Sequence, residues 1–357
     1  MKTPITLLTG FLGSGKTTLL NHLINQPELS DTLVIINEFG EIALDHLLVA
    51  ESNENVLMEM DSGCMCCTVR GDLVNTLHEV TAQMSEPEGR QFKRIIIETT
   101  GLADPAPIIH TLMTDRWIAE AYQLDGVVTT VDLATGSHTL DQHKESVKQA
   151  ALADLLLLTK GDMADEVAKE ALISRLTQIN PSARKLEVAS GQADPNQLLN
   201  LGLFTTEGKL TDVEAWLKEE AYSEQHDHHH DHDCHQHGCD HDHAKRHGDN
   251  IESFCLTVEK PISKEALQDW MQLLMSLVGS NILRIKGLLN IEGVEEPLVI
   301  HGVQQLFHPP VPLPAWPNDD QRTRLVFITQ NVSKEFIENT FKELIDIAEP
   351  STKNPMK

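Results

Sequence analysis

Gly10-Phe11-Leu12-Gly13-Ser14-Gly15-Lys16-Thr17 fits the spacing G-x-x-x-x-G-K-[ST], and its flanks decide what that spacing means. Before it stands a short apolar run, Pro4 to Thr9. After it, Leu19, Leu20, Leu23 and Ile24 fall on one helical face. The order is strand, glycine loop, helix. Such a loop lets successive backbone N–H groups curl around phosphate oxygens, and the helix start adds the positive end of its dipole. Lys16 is expected to reach the β and γ phosphates of a nucleotide, and Thr17 to offer its hydroxyl to Mg²⁺.

Working outward, further buried-strand candidates are Leu33 to Ile36, Arg94 to Ile97, Val127 to Val131 and Leu155 to Leu158, separated by helix-compatible segments. This alternation predicts an α/β fold, a mostly parallel sheet flanked by helices. Two strand ends carry chemistry. Arg94 to Gly101 is an apolar strand ending in an acid and then a glycine, so Glu98 would hold a Mg²⁺ water and the Gly101 N–H would sense the γ phosphate. Leu155 to Leu158, read as the last core strand, ends in Thr159-Lys160-Gly161-Asp162. An Asp162 carboxylate there could accept from both the N1–H and the amino group of guanine, a bidentate pair that adenine cannot reproduce. Lys160 would lay its methylene stem along the base, and Thr159 stands where many GTPases carry Asn.

The chain has 357 residues, enough for two domains. Lys plus Arg is 28 against 54 Asp plus Glu, a formal net charge of -26 that would repel a nucleic-acid backbone or an anionic membrane. The opening residues do not read as a signal peptide, and no apolar stretch has the length of a membrane span. A cytoplasmic protein is expected, and its six cysteines are expected to be thiols or metal ligands rather than a disulfide framework.

Three of those cysteines, Cys64, Cys66 and Cys67, crowd into Ser62-Gly63-Cys64-Met65-Cys66-Cys67. Thiolates suit Zn²⁺, Cu(I) or thiophilic iron and cobalt, and a tetrahedral Zn²⁺ site would need one more ligand. Glu38 and Glu41, in Asn37-Glu38-Phe39-Gly40-Glu41, are carboxylate candidates that could equally serve Mg²⁺ or be solvated. Farther on, His226 to His247 holds ten histidines, five aspartates and two cysteines, a composition that cannot pack a core and that binds divalent metals loosely. Order is expected to return with a strand at Ile251 to Val258, a helix at Lys264 to Leu277, strands at Ile282 to Asn290 and Leu298 to Val303, a proline-rich loop, a strand at Leu325 to Thr329 and a closing helix from Lys334 to Ile347. The boundaries read from this are a P-loop domain over 1–220, a flexible metal-binding linker over 221–249, a smaller α+β domain over 250–348 and a tail over 349–357.

With GFLGSGKTTLL, NEFGE, GCMCC, ETTGLADP and TKGD in this order, the chain resembles the CobW-like metallochaperone GTPases, relatives of the urease and hydrogenase nickel-insertion GTPases. The resemblance spans nearly the whole chain, including Arg284-Ile-Lys286-Gly287 in the last domain. It implies a Mg²⁺-GTP site at Gly13, Gly15, Lys16, Thr17, Thr18 and Glu98, guanine recognition at Lys160 and Asp162, and metal ligation at Cys64, Cys66 and Cys67. It also implies a client apo-metalloenzyme as partner, with zinc, cobalt or iron as cargo and homodimerisation left open. Two rival classes are a metal storage or sensing protein whose nucleotide site is only structural, and a metabolite kinase using the same loop with ATP. No glutamine is evident in the sequence to orient an attacking water, so slow intrinsic turnover is expected.

Overall fold

In the computed structural model, the residues described are 2–37, 56–59, 68–87, 91–199, 201, 250–308 and 310–348. The expected parallel sheet is present with seven strands: β1 (Thr3–Gly10), β2 (Thr32–Asn37), β3 (Val56–Glu59), β4 (Arg94–Thr99), β5 (Tyr122–Asp132), β6 (Leu155–Thr159) and β7 (Arg184–Glu187). Their spatial order is β3-β2-β4-β1-β5-β6-β7, with every pairing parallel. Helices between them are α1 (Lys16–Leu23), α2 (Thr68–Met84), α3 (Ala106–Thr114), α4 (Arg116–Ala121), α5 (Gly136–Gln142), α6 (Lys144–Leu152), α7 (Glu166–Ile179) and α8 (Pro195–Leu198). Several begin where the sequence supplies a cap. The Asp115 carboxylate accepts from the Trp117 and Ile118 amides at α4, and Asp165 from Val167 and Ala168 at α7.

The central strands are apolar on both faces because both are covered. Leu73, Leu77, Ile109 and Leu112 from α2 and α3 pack one face against Ile5, Leu7, Ile95 and Ile97. Leu19, Leu20 and Leu23 of α1 pack the other against Leu8, Ile96 and Val128. Two strands of this sheet, β3 and β7, escaped the sequence reading, and Leu155 to Leu158 is next to last in the sheet rather than last. Both missed strands lie at edges and span four residues each. In β7, Arg184 to Glu187 is half-exposed, so it lacks the apolar run that betrays a buried strand. β5 extends well before Val127, because its first half includes the buried Asp125, which accepts from Arg94 at 2.6 Å.

The second unit is an antiparallel sheet of β8 (Ile251–Val258), β9 (Ile282–Leu289), β10 (Leu298–Val303), β11 (Leu306–Phe307), β12 (Val311–Pro312) and β13 (Thr323–Gln330), in the order β11-β10-β9-β13-β8 with β12 on β10. Helices α9 (Lys264–Val278) and α10 (Lys334–Ala348) cover one face, burying Trp270, Leu274, Ile337 and Phe341 against Phe254 and Phe327. The strands and helices expected from residue 250 onward are found, and two short strands were not expected: β11, and β12 within the stretch read as a proline-rich loop. Part of the opposite face lies on the first unit. Leu283 and Ile328 join the core formed by α5, α6 and α7, Ser253 Oγ donates to the Gln178 carbonyl, and Arg284 and Lys286 both meet Asp154 in the turn before β6. These three charged side chains are almost wholly buried, so each depends on the others for compensation.

Candidate functional site: the carboxyl edge of the parallel sheet

In an open parallel sheet, ligands bind outside the carboxyl ends of the strands where the strand order reverses. Here that place is β1, whose successors lie on either side of it. β1 ends at Gly10, paired with Thr130 of β5, and Leu8 pairs with Glu98 of β4. The loop after Gly10 therefore emerges between Glu98 and the end of β5.

The loop is held open by its own contacts. Gly13 and Gly15 have φ of 71° and 97°, left-handed backbone that a side chain would resist. Gly15 caps α1, so Lys16, Thr17 and Thr18 form its first turn. Ser14 is buried, its hydroxyl 2.7 Å from the Phe11 carbonyl and 2.6 Å from the Thr130 hydroxyl. The Lys16 ammonium folds across the loop and donates to the carbonyls of Gly10 (3.0 Å) and Phe11 (3.2 Å). It is thus poised over the hollow of the loop. Thr17 is half-buried and Thr18 exposed. From β6, the Thr159 hydroxyl donates to the Ser14 carbonyl at 2.8 Å, so this threonine braces the phosphate loop directly.

Glu98 is buried at the end of β4, and the Thr99 hydroxyl donates to that of Thr9 across the strand pair. Gly101 follows in the loop toward α3. A Cβ there would stand 2.5 Å from the Leu12 amide nitrogen, so only glycine permits this approach of the two loops. The phosphate loop, Glu98 and Gly101 thus lie together at one edge of the sheet.

Lys160 adopts φ 56°, and its ammonium donates to Asp132 Oδ2 at 2.7 Å. Asp132 also caps the following turn, accepting from the Ala134 and Thr135 amides. Burial alone would raise the Asp132 carboxyl, but the hydrogen bonds and charge of Lys160 and the turn amides outweigh it and hold the group below the usual carboxylate range. Sequence reading missed Asp132, although a strand ending in an acid beside β1 was the available signal. Asp162 lies in the exposed turn after Lys160. Two further features were missed. The turn at Ser190 and Gly191 lies against Thr18 and Leu19, and Gln149 of α6 donates to the carbonyls of Gly101 (3.2 Å) and Ala103 (2.9 Å). Gln149 thus reaches the Gly101 loop, with its amide nitrogen bound to those two carbonyls.

Cys64, Cys66, Cys67, Glu38, Glu41 and the histidine tract lie outside the described residues. Among the described residues no cluster of three metal-ligating side chains occurs, and no helix is long and apolar enough to cross a membrane.

Comparison with known proteins agrees with this geometry. The profile of the CobW/HypB/UreG nucleotide-binding domain matches residues 4–187, and that of the cobalamin synthesis protein cobW C-terminal domain matches residues 251–345. The zinc chaperone YjiA of Escherichia coli is 32% identical over 341 residues, which is 95% of this chain and 98% of that protein. The zinc chaperone CobW of Pseudomonas aeruginosa is also 32% identical, over 96% and 91% of the two chains. A crystal structure of zinc-bound YjiA GTPase from E. coli superposes with a TM-score of 0.68 at 28% identity, covering 96% of this chain and 99% of that one. The chain belongs to the CobW/HypB/UreG family and is a P-loop GTPase with a CobW-type C-terminal domain.

Proposed function

We propose that the protein is a GTP-driven metallochaperone that carries zinc on Cys64, Cys66 and Cys67 and delivers it to a client apo-metalloenzyme. The observation that carries this reading is topological. β2, β3 and β4 are parallel and end on one edge of the sheet, the edge that bears the phosphate loop. In the chain, the Cys-x-Cys-Cys cluster falls between β3 and α2 and Glu38 and Glu41 come directly after β2, so both segments follow strands that leave the sheet at that edge. The names of the two zinc chaperones add support for zinc over cobalt or iron. The two profile matches support a GTPase domain and a separate C-terminal domain, whose bounds we place at 1–220 and 250–348, with a histidine-rich metal-binding linker over 221–249 and a tail over 349–357.

In this reading the loop amides and Lys16 cradle the β and γ phosphates. Lys16 exchanges its two carbonyl partners for phosphate oxygens, which costs little because the ammonium already points into the loop. Asp162 takes the guanine edge, while Asp132 anchors Lys160 beside the base. The Thr17 hydroxyl and the Glu98 carboxylate are hard oxygen donors that suit Mg²⁺, which supplies neutralisation of charge on the β and γ phosphates when bound. In this reading metal and nucleotide bias one conformational equilibrium, so each changes the affinity for the other by the same factor.

The test is GTP affinity measured with and without Zn²⁺, alongside Zn²⁺ affinity measured with GTP and with GDP. The same coupling factor is expected in both directions. Changing Cys64, Cys66 and Cys67 to Ser should abolish tight zinc capture, and Lys16→Ala should abolish hydrolysis. Equal GTP affinities in the two states would end the carrier reading, while the GTPase itself would stand.

A further inference from the structure

Helix α6 contacts the phosphate-sensing loop and the C-terminal domain within a single turn of itself. Gln149, almost wholly buried, turns its amide nitrogen to the carbonyls of Gly101 and Ala103. Both partners are acceptors, so only the NH₂ end of the side chain can face them. The preceding residue adds a second grip, since Lys148 Nζ lies 2.7 Å from the Asp104 carboxylate. Ahead of the helix, the His143 ring stacks on Phe11 of the phosphate loop at a centroid distance of 4.4 Å. At the other end, Arg284 of β9 donates to the Leu152 carbonyl and to Asp154, and Lys286 reaches Asp154 at 2.8 Å. Gln149 and Leu152 are separated by less than one turn, a rise of about 4.5 Å. That turn is stiffened from the side by Asn180, whose amide donates to the carbonyls of Ala150, Ala151 and Ala153.

We propose that Gln149 is a positioning residue for GTP hydrolysis, and that α6 carries the state of the Gly101 loop to the C-terminal domain through Arg284. The proposal rests on the phosphate site described above. Gln149 holds the Gly101 carbonyl and so restrains the glycine itself, whose N–H would meet the γ phosphate of GTP and has no such partner in GDP. A loop that moves when the γ phosphate leaves must pull on Gln149. Through the short stiff turn it then displaces the Leu152 carbonyl, and the buried guanidinium seated there must follow or lose its bond. By the same route, the docked C-terminal domain biases the loop toward the position that hydrolysis requires.

The experiment uses the full chain in four forms: wild type, Gln149→Met, Arg284→Met and the double variant. Methionine keeps the volume of each side chain and removes its donors. In Arg284→Met, Lys286 still pairs with Asp154, so the domain contact keeps its charge balance. Thermal melts establish that all four are folded. Single-turnover GTP hydrolysis and the affinities for GTP and GDP are then measured. Loss of the Gln149 hydrogen bonds should slow hydrolysis about tenfold and lower GTP affinity, with GDP affinity unchanged within about twofold. A merely structural role would weaken GTP and GDP alike. Arg284→Met should also slow hydrolysis although it lies away from the nucleotide, and the double variant should be no slower than the slower single variant.

A wild-type hydrolysis rate in Gln149→Met, or equal losses for GTP and GDP, overturns the positioning role. Independent effects that simply multiply in the double variant overturn the link through α6. Lys16→Ala serves as the control. If it binds GTP like wild type, the phosphate site itself is misassigned and this proposal falls with it. If it does not, a negative result on Gln149 counts against the present inference alone.

Discussion

Replacing Gly101 by Ala tests whether the phosphate loop and the sensing loop form one machine. A Cβ at this position would stand 2.5 Å from the Leu12 amide nitrogen and 2.7 Å from its Cα, distances that backbone atoms cannot tolerate. To restore ordinary contact, one loop must retreat by about 1 Å. Both loops are tethered: Gly101 by Gln149, and the phosphate loop by Thr159 through the Ser14 carbonyl. The retreat therefore costs stability on the scale of overpacking, about 1–3 kcal/mol. Its effect on chemistry should be larger, because a displacement of this size in a positioned reactive group costs about 100-fold in rate. Hydrolysis should fall by that order in single-turnover assays. GDP affinity should fall far less, since in the proposed mode of binding the β phosphate is held by the loop amides nearer α1. A Gly101→Ala variant that hydrolyses GTP at the wild-type rate, with an unchanged preference for GTP over GDP, would refute the reasoning.

Other perturbations follow from the same geometry. Asp154→Ala removes the buried carboxylate that Arg284 and Lys286 share, and should lower stability in urea by about 3–5 kcal/mol, much of which returns when Arg284 and Lys286 are also made Met. Because the folded-state carboxyl of Asp132 titrates below its usual value, its contribution is fully present above the unfolded pKa of about 3.9 and is lost as pH falls through the lower folded value. The stability gap between wild type and Asp132→Asn should thus be level at neutral pH and close on acidification, and a gap that instead widens toward acid would contradict the Lys160 pairing. Trp270→Ala empties the centre of the second core, where the indole packs edge-on against Phe327 and Phe341, and should cost about 3–5 kcal/mol by denaturant unfolding.

What the sequence alone determined is what contiguous residues build. The phosphate loop could be read whole, because eight successive residues supply both the glycine backbone and the functional side chains, and the flanking apolar patterns supply strand and helix. Glu98, Gly101, Lys160 and Asp162 could be read for a related reason: each sits where a recognisable buried strand ends. The elements after residue 250 were legible because their alternation and helical periodicity are strong. The tertiary structure decided what lies across the sheet. Which strand neighbours β1 is set by parallel pairing over long crossovers, and that pairing brings Asp132 to Lys160, Thr159 to Ser14 and Gln149 to Gly101. The edge strands were hidden because a strand that is short and half-solvated carries little apolar signal. Arg284-Ile-Lys286-Gly287 could be matched as a pattern, but its chemistry became readable only once β9 laid two cations on Asp154, more than a hundred residues earlier in the chain. Local chemistry is written in sequence order; charge compensation between distant segments exists only after the chain has folded.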